Sequence, residues 1–356
     1  MTILRRHAEE ACADELDQLS EISGPRPHGW SLTPSAVRTF IMGGELADGT
    51  VVEPKYIGDV RRVEVAIATL ATDRALLLQG DPGTGKSWLS EHLAAAICGD
   101  STLLVQGTAG TDESAFLYGW NYAKLLSEGP SREAMVESPI LVAMRTGGIA
   151  RVEELTRVSP EVQDALLGTL SEKSVPVPEL GIEVQAQRGF NLIATANRRD
   201  RGINELSSAL RRRFAVVELP SPATVEREVE IVRTRLLALG RGLALPGEEP
   251  PAQAIHRLVT MFRELRSGVT EDGSLSLKQP SGTLSTAEAI GVLSQGWTRA
   301  AYYGGGPLSA EHLADGLLSV AIQDERDSTA LREYVHAVLD TRPDWEDWAR
   351  ALRERL

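Results

Sequence analysis

The run Gly80-Asp81-Pro82-Gly83-Thr84-Gly85-Lys86-Ser87 has the residue types and spacing of a loop that cradles phosphate groups. Gly83 and Gly85 let the backbone wrap closely, so that amide N–H groups point at the phosphates. Lys86 reaches the β- and γ-phosphates, and the Ser87 hydroxyl is placed for Mg²⁺. Trp88 follows directly and is grouped with the nucleotide-contacting residues. Any glycine-rich turn can join a strand to a helix. Here, however, every fixed position of the pattern matches, the apolar run Ala75–Gln79 precedes the loop, and Lys86 opens a helical stretch whose positive end adds to the site.

Three further groups have chemistry-bearing types. In Gly148-Ile149-Ala150-Arg151-Val152-Glu153-Glu154-Leu155, an apolar run ends in two acids. Glu153 could hold the water shell of a metal, and Glu154 could orient or activate an attacking water. Capping of the following helix is the other reading of the pair. Arg151 interrupts the apolar run, and Glu153 is one methylene longer than the aspartate usual at this place. Asn197 ends the run Phe190–Ala196 and fits either a contact to the γ-phosphate or its water, or an Asx turn. Arg211-Arg212-Arg213 precede another apolar run. They fit an arginine finger reaching a neighbouring subunit, with Arg213 ahead of Arg212, or a solvated helix end, or a basic patch for nucleic acid.

These groups need a frame. The runs Ala75–Gln79, Leu103–Gln106, Ile149–Val152, Phe190–Ala196 and Ala215–Leu219 lack polar alternation, as buried parallel strands do. Helical stretches such as Lys86–Ile97 and Pro160–Ser171 lie between them, which predicts a parallel five-stranded α/β sheet with helices on both faces. Alternation about Glu179-Leu180-Gly181 predicts a hairpin over 174–187. Beyond Pro220-Ser221-Pro222 only helical spacing remains: Thr224–Leu239, Ala252–Arg266, Leu284–Ala301, Leu308–Ile322, then two short helices over 328–356. The expected organisation is an N-terminal helical extension and linker at 1–50, opening with a helix over 1–23 that carries Leu16, Leu19 and Ile22 on one stripe, then a nucleotide-binding α/β domain at 51–220, a helical lid at 221–325 and C-terminal helices at 326–356.

The chain has 356 residues and 42% hydrophobic content, enough for about two packed domains rather than a disordered chain. The formal net charge of −13 opposes nucleic-acid binding through Arg198, Arg199, Arg201 and Arg211–Arg213. Cys12 and Cys98 have no metal or disulfide spacing, and no apolar run approaches the ~20 residues of a bilayer span. The expectation is a cytoplasmic protein that makes no membrane contact. The six histidines are scattered, and no serine shows a nucleophile-triad order.

The order of these motifs resembles the MoxR family of AAA+ ATPases, with wording closest to its YehL-like branch. The resemblance is carried by the phosphate loop, Glu-Glu-Leu-Thr-Arg, Ser-Pro-Glu-Val-Gln-Asp-Ala-Leu-Leu, Ile-Ala-Thr-Ala-Asn and Leu-Ser-Ser-Ala-Leu-Arg-Arg-Arg-Phe, over about residues 56–300. It implies ATP with Mg²⁺ bound in a homo-oligomeric ring, a hexamer, with sites between subunits. By that resemblance Ser87 and Glu153 are metal-side residues, Glu154 activates water, Asn197 is the first sensor and Arg213 the finger. Ile57 and Gly58 line the adenine pocket. The family works with partners bearing a von Willebrand factor A domain, as a chaperone-like remodeller or metal-insertion motor. One departure is Ala287, where the lid of the family carries an arginine. Arg299 is the candidate substitute. Glu153 and Ala287 keep a second function open, an ATP-dependent binding switch with little hydrolysis, and a nucleic-acid motor stands third.

Overall fold

The structure, a computed structural model, describes residues 5–47, 49–198, 204–246, 248–304 and 306–356. The chain forms two compact units: one runs up to Asp81 and resumes at Gly85–Leu219, the other comprises Pro220–Leu356 with the loop tip Pro82–Thr84.

The first unit is built on β1 (Ala75–Gly80), β2 (Leu104–Gln106), β3 (Ile149–Glu153), β4 (Asn191–Asn197) and β5 (Phe214–Leu219). They form one sheet in the order β5-β1-β4-β3-β2, and every neighbouring pair is parallel. The predicted five-stranded α/β fold is therefore present. Alternate side chains serve opposite faces. Leu76, Leu78, Ile149 and Ile193 pack with α1 (Pro34–Met42), α2 (Val60–Leu70) and α3 (Lys86–Cys98) through Phe40, Val63, Leu89 and Leu93. Leu77, Val152, Leu192 and Ala194 face the other way, against Ile140, Leu141 and Met144 of α4 (Pro139–Thr146). Both faces are covered, which explains why the strands read as continuous apolar runs.

The stretch before the sheet belongs to the same core. The expected helix over 1–23 is, among the described residues, two short ones, Ala8–Ala11 and Ala13–Ser20. Leu19, Trp30, Leu32 and Phe40 are buried in one cluster with Leu76 and Leu89. Thr33 starts α1 by accepting the Ala36 N–H at 3.2 Å, ahead of Pro34 with its pre-set φ. The expected helix Pro160–Ser171 is divided into Pro160–Gln163 and Leu166–Ser171. Gln163 turns its amide inward to Val158 O at 2.8 Å. The hairpin at Ser174–Val177 and Ile182–Gln185 is where alternation placed it. A second hairpin, Tyr118–Trp120 with Met135–Glu137, had no alternation long enough to announce it.

The second unit contains α5 (Val225–Leu243), α6 (Ala252–Ser267), α7 (Thr286–Arg299), α8 (Ala310–Ala321), α9 (Glu325–Ala337) and α10 (Glu346–Arg353). Val232, Leu236, Leu258, Phe262, Leu293, Leu313, Leu331 and Trp348 share one core. Trp348 is core packing, whereas the Trp345 ring takes cation–π contacts from the guanidinium groups of both Arg257 and Arg342. Glu228 is fully buried. Burial alone would raise its pKa, but hydrogen bonds and charge from Arg266, with Thr286 and Arg263, hold it below the usual carboxylate range.

Candidate nucleotide site

The carboxyl edge of the sheet gathers the loop at Gly80–Ser87 with Glu153, Glu154 and Asn197, whereas Arg211–Arg213 precede β5 at the amino edge. Parallel pairing sets Asn197 of β4 beside Gly80 of β1, and Gln106 of β2 beside Glu153 of β3. A crevice outside the carboxyl ends of parallel strands is where such sheets bind ligands. Gly83 and Gly85 have φ of 77° and 81°. This left-handed backbone costs glycine nothing and turns successive N–H groups toward one concavity. Gly85 is also the N-cap of α3. Lys86, only 6% exposed, donates from Nζ to Asp81 O at 2.8 Å and Gly80 O at 3.2 Å, so its ammonium is held over the loop.

The acidic pair separates into two environments. Glu153 ends β3 and is buried. Its Oε2 accepts from Ser87 Oγ at 2.6 Å and Thr195 Oγ1 at 2.6 Å. Its Oε1 accepts from Ser90 Oγ at 2.5 Å and Arg151 Nη2 at 3.0 Å. The longer side chain thus reaches the loop serine directly. Glu154 turns into the left-handed region at φ 56°, ψ 44°, and its N–H donates to Thr195 Oγ1 at 3.0 Å. A non-glycine residue held there is a strained feature of the kind found at functional sites. The kink aims the second carboxylate elsewhere: Asn197 Nδ2 donates to both of its oxygens, at 3.1 and 3.0 Å, and Arg157 Nε lies at 3.4 Å. Neither acid caps a long helix. Only the short turn Leu155–Arg157 follows, and Glu154 makes no side-chain cap.

Four participants carried no assigned role in the sequence reading: Arg151, Thr195, Ser90 and Gly107. Strand period supplies the missing signal. Arg151 and Glu153, like Thr195 and Asn197, are two residues apart, hence on one face, the face of Ile149 and Ile193 that packs on α3. Ser90 is one helical turn beyond Ser87. Gly107 donates to Glu153 O at 2.7 Å, and a Cβ built on it would lie 2.6 Å from Glu154 O and 2.8 Å from Glu153 O. Gly107→Ala must therefore push β2 away from the acidic pair, at about 1–3 kcal/mol. A denaturant titration should show the lowered midpoint, and an unchanged midpoint would contradict this close approach.

On the other side of the loop, Trp88 Nε1 donates to Lys55 O at 2.8 Å, tying α3 to the segment before Ile57 and Gly58. Tyr56 is buried; its ring lies 3.8 Å from a Cβ built on Gly85 and 2.2 Å from one built on Gly58, so Gly58 has no space for a side chain. Ile57 and Gly58 are half-buried beside it. Tyr56 was not singled out from the sequence, although its neighbours were.

Arg213 is half-buried and held by Ser171 Oγ at 2.6 Å (to Nε) and Ala209 O at 2.8 Å (to Nη1). Arg211 and Arg212 are exposed. Arg198 pairs with Glu218, while Arg199 and Arg201 lie outside the described residues. In the second unit, Ala287 is in the first turn of α7 and Arg299 ends that helix, about 18 Å away by helical rise and paired with Asp315. Arg299 therefore lies at the opposite end of α7 from position 287.

The donor set fits the groups it implies. Ser87 and Glu153 offer hard oxygen atoms of the kind Mg²⁺ takes, and the glycine loop with Lys86 offers what phosphates take. Among the described residues no helix is long and apolar enough to cross a membrane.

A phosphate loop on β1, acids ending β3 and a polar residue ending β4 of a β5-β1-β4-β3-β2 parallel sheet define the AAA+ class of ATPases. Residues 75–214 match the model of an AAA domain of the dynein-related subfamily, and residues 227–353 match a YehL-like AAA+ ATPase C-terminal domain. YehL of Escherichia coli K12 is 39% identical over 351 residues, covering 97% of this chain and 95% of that one. The chain belongs to the YehL family of AAA+ ATPases. A Staphylococcus aureus USA300 protein, SAUSA300_1302, is 30% identical over 155 residues, 43% of this chain and 58% of its own length. Among solved structures, Brucella abortus NtrX in complex with ADP superposes with a TM-score of 0.50 at 13% identity, covering 84% of this chain and 68% of that one, a likeness of fold.

Proposed function

We propose that this protein hydrolyses ATP with Mg²⁺ in a homo-oligomeric ring, a hexamer, and uses the turnover to remodel or activate a protein partner, one bearing a von Willebrand factor A domain. The observation that carries the reading is the split of the acidic pair. Glu153 is bonded to the loop serine, and Glu154 to Asn197 at the neighbouring strand end. The likeness of fold to NtrX, a protein solved in complex with ADP, agrees with nucleotide binding by this chain.

In this reading Gly80–Ser87 and Trp88 bind the nucleotide, with Tyr56, Ile57 and Gly58 toward the base. Lys86 contacts the β- and γ-phosphates. Bound Mg²⁺ supplies charge neutralisation and phosphate orientation. Ser87 would be its protein ligand, with Glu153 accepting the hydrogen bond of the Ser87 hydroxyl and leaving the lone pairs of that oxygen for the cation. Glu154 is the base for the attacking water, positioned by Asn197. Arg213 is the finger for a neighbouring subunit, pre-ordered by Ser171 and Ala209, with Arg212 exposed beside it.

ATP turnover per subunit should rise steeply with protein concentration as rings form, and EDTA should stop it. Arg213→Ala and Glu154→Gln should each be inactive alone, yet a mixture should recover activity at interfaces pairing an intact finger with an intact base. No recovery from the mixture would remove the shared site. The binding-switch reading is favoured by Ala287 and by the distance of Arg299 from it. It expects tight ATP binding and ring formation with turnover near zero under every partner addition. The net charge of −13 and the Arg198–Glu218 pair weigh against a nucleic-acid motor.

A further inference from the structure

Arg151 is the one charged residue before the acids on a strand that is buried along its length. It is 5% exposed, and all three of its guanidinium nitrogens are hydrogen-bonded. Nε donates to Ser90 Oγ at 3.1 Å, Nη1 to Ser101 O at 2.9 Å, and Nη2 to Ser87 O at 3.2 Å as well as to Glu153 Oε1 at 3.0 Å. Three of these four acceptors belong to the residues that frame the metal side of the site or to the helix turn carrying them. Stability alone does not account for the arrangement. A buried ion pair does no better on average than apolar residues of the same volume, which the rest of β3 already uses.

We propose that Arg151 is a charge-compensating positioning residue of the metal shell. It occupies Oε1 of Glu153 with Ser90, so that Oε2 alone, bonded to Ser87 and Thr195, faces the metal side. Its positive charge offsets the carboxylate within a few ångströms of the Ser87 hydroxyl. An aspartate on an apolar strand presents a whole negative charge to Mg²⁺; the Arg151–Glu153 pair presents a nearly neutral one. The shell is thereby well ordered but weak in its pull on the cation, and the metal leaves readily after each cycle. Because the low-dielectric surroundings amplify single charges, this compensation is a large effect.

The inference rests on the reading that Mg²⁺-nucleotide binds at Ser87, and one titration separates the two. Binding of a fluorescent ATP analogue is followed against buffered free Mg²⁺, with the thermal midpoint as the check on folding. Removing the positive charge in Arg151→Met should lower the Mg²⁺ concentration at half-saturation by about tenfold. Arg151→Lys, which keeps charge but loses the fork, should stay within about threefold of wild type. Arg151→Gln, which removes the charge but keeps hydrogen-bonding capacity, should lower the half-saturation point by about tenfold as Arg151→Met does. Structural damage can only weaken metal binding, so the sign distinguishes the two roles. An unchanged or raised half-saturation point in folded Arg151→Met overturns the proposal. Should that variant fail to fold, an unchanged or raised half-saturation point in folded Arg151→Gln overturns it instead. Wild-type nucleotide binding indifferent to Mg²⁺ would overturn the site reading itself, and Arg151 with it.

Discussion

Lys86→Ala should abolish nucleotide binding at ordinary concentrations. The ammonium is nearly excluded from water and is fixed by two loop carbonyls, Gly80 O and Asp81 O, so it is already ordered before a phosphate arrives. A charge-assisted contact to a phosphate oxygen contributes about 1.5–3 kcal/mol, and pre-ordering puts this one at the upper end. Roughly 3 kcal/mol is about a hundredfold in Kd. Alanine is a good helix former at the first position of α3, so the fold should hold. Anisotropy of a fluorescent ATP analogue measures the loss directly. A Kd within about threefold of wild type, in protein with an unchanged thermal midpoint, would mean that phosphates are not bound at this loop.

Glu154→Gln should leave binding intact and remove turnover. Glutamine has the same shape, and its carbonyl oxygen still accepts from Asn197, so the left-handed backbone at 154 has no reason to relax. What goes is the ability to take a proton. General-base contributions run to about 10²–10⁴-fold, and the loss should fall on kcat with KM nearly unchanged. Steady-state phosphate release reads the first, and equilibrium binding the second. Turnover within about tenfold of wild type would falsify the assignment of Glu154 as base. Glu153→Gln should behave differently, with its loss read in Mg²⁺ dependence, because Glu153 touches Ser87 and not Asn197.

The sheet was legible because buried parallel strands leave unbroken aliphatic runs, and all five appear within a residue or so of where those runs lie. The phosphate loop was legible for a different reason. Its glycines and lysine are demanded by local geometry, which one short segment contains completely. Arg151 was visible only as an interruption. Its partners, Ser87, Ser90, Ser101 and Glu153, are scattered between positions 87 and 153, and nothing local announces their convergence. Thr195 was hidden by being ordinary, since a threonine in a strand needs no explanation. Gly107 was hidden because the demand on it comes from backbone oxygens of another strand. The long helix expected at 1–23 was overstated by its stripe of Leu16, Leu19 and Ile22, which two short helices satisfy as well.

The burial of Leu19, Trp30, Leu32, Phe40 and Ile41 against Leu76 and Leu89 has a practical side. The match to the AAA domain begins at Ala75, at the first strand of the sheet. The unit that folds does not begin there. Each of those five side chains contributes about 1.5–3 kcal/mol by leaving water, so together they amount to as much as the entire net stability of an ordinary domain. A recombinant piece started at Ala75 would bare one whole side of α3, the helix that carries Lys86 and Ser87, and invite aggregation. Fusion junctions and affinity tags therefore belong upstream of the Ala8–Ala11 helix or in the exposed turn at Gly49, where a Cβ would meet nothing within 4 Å. The start of the AAA-domain match at Ala75 and the first helix of the folding unit, at Ala8, lie 67 residues apart.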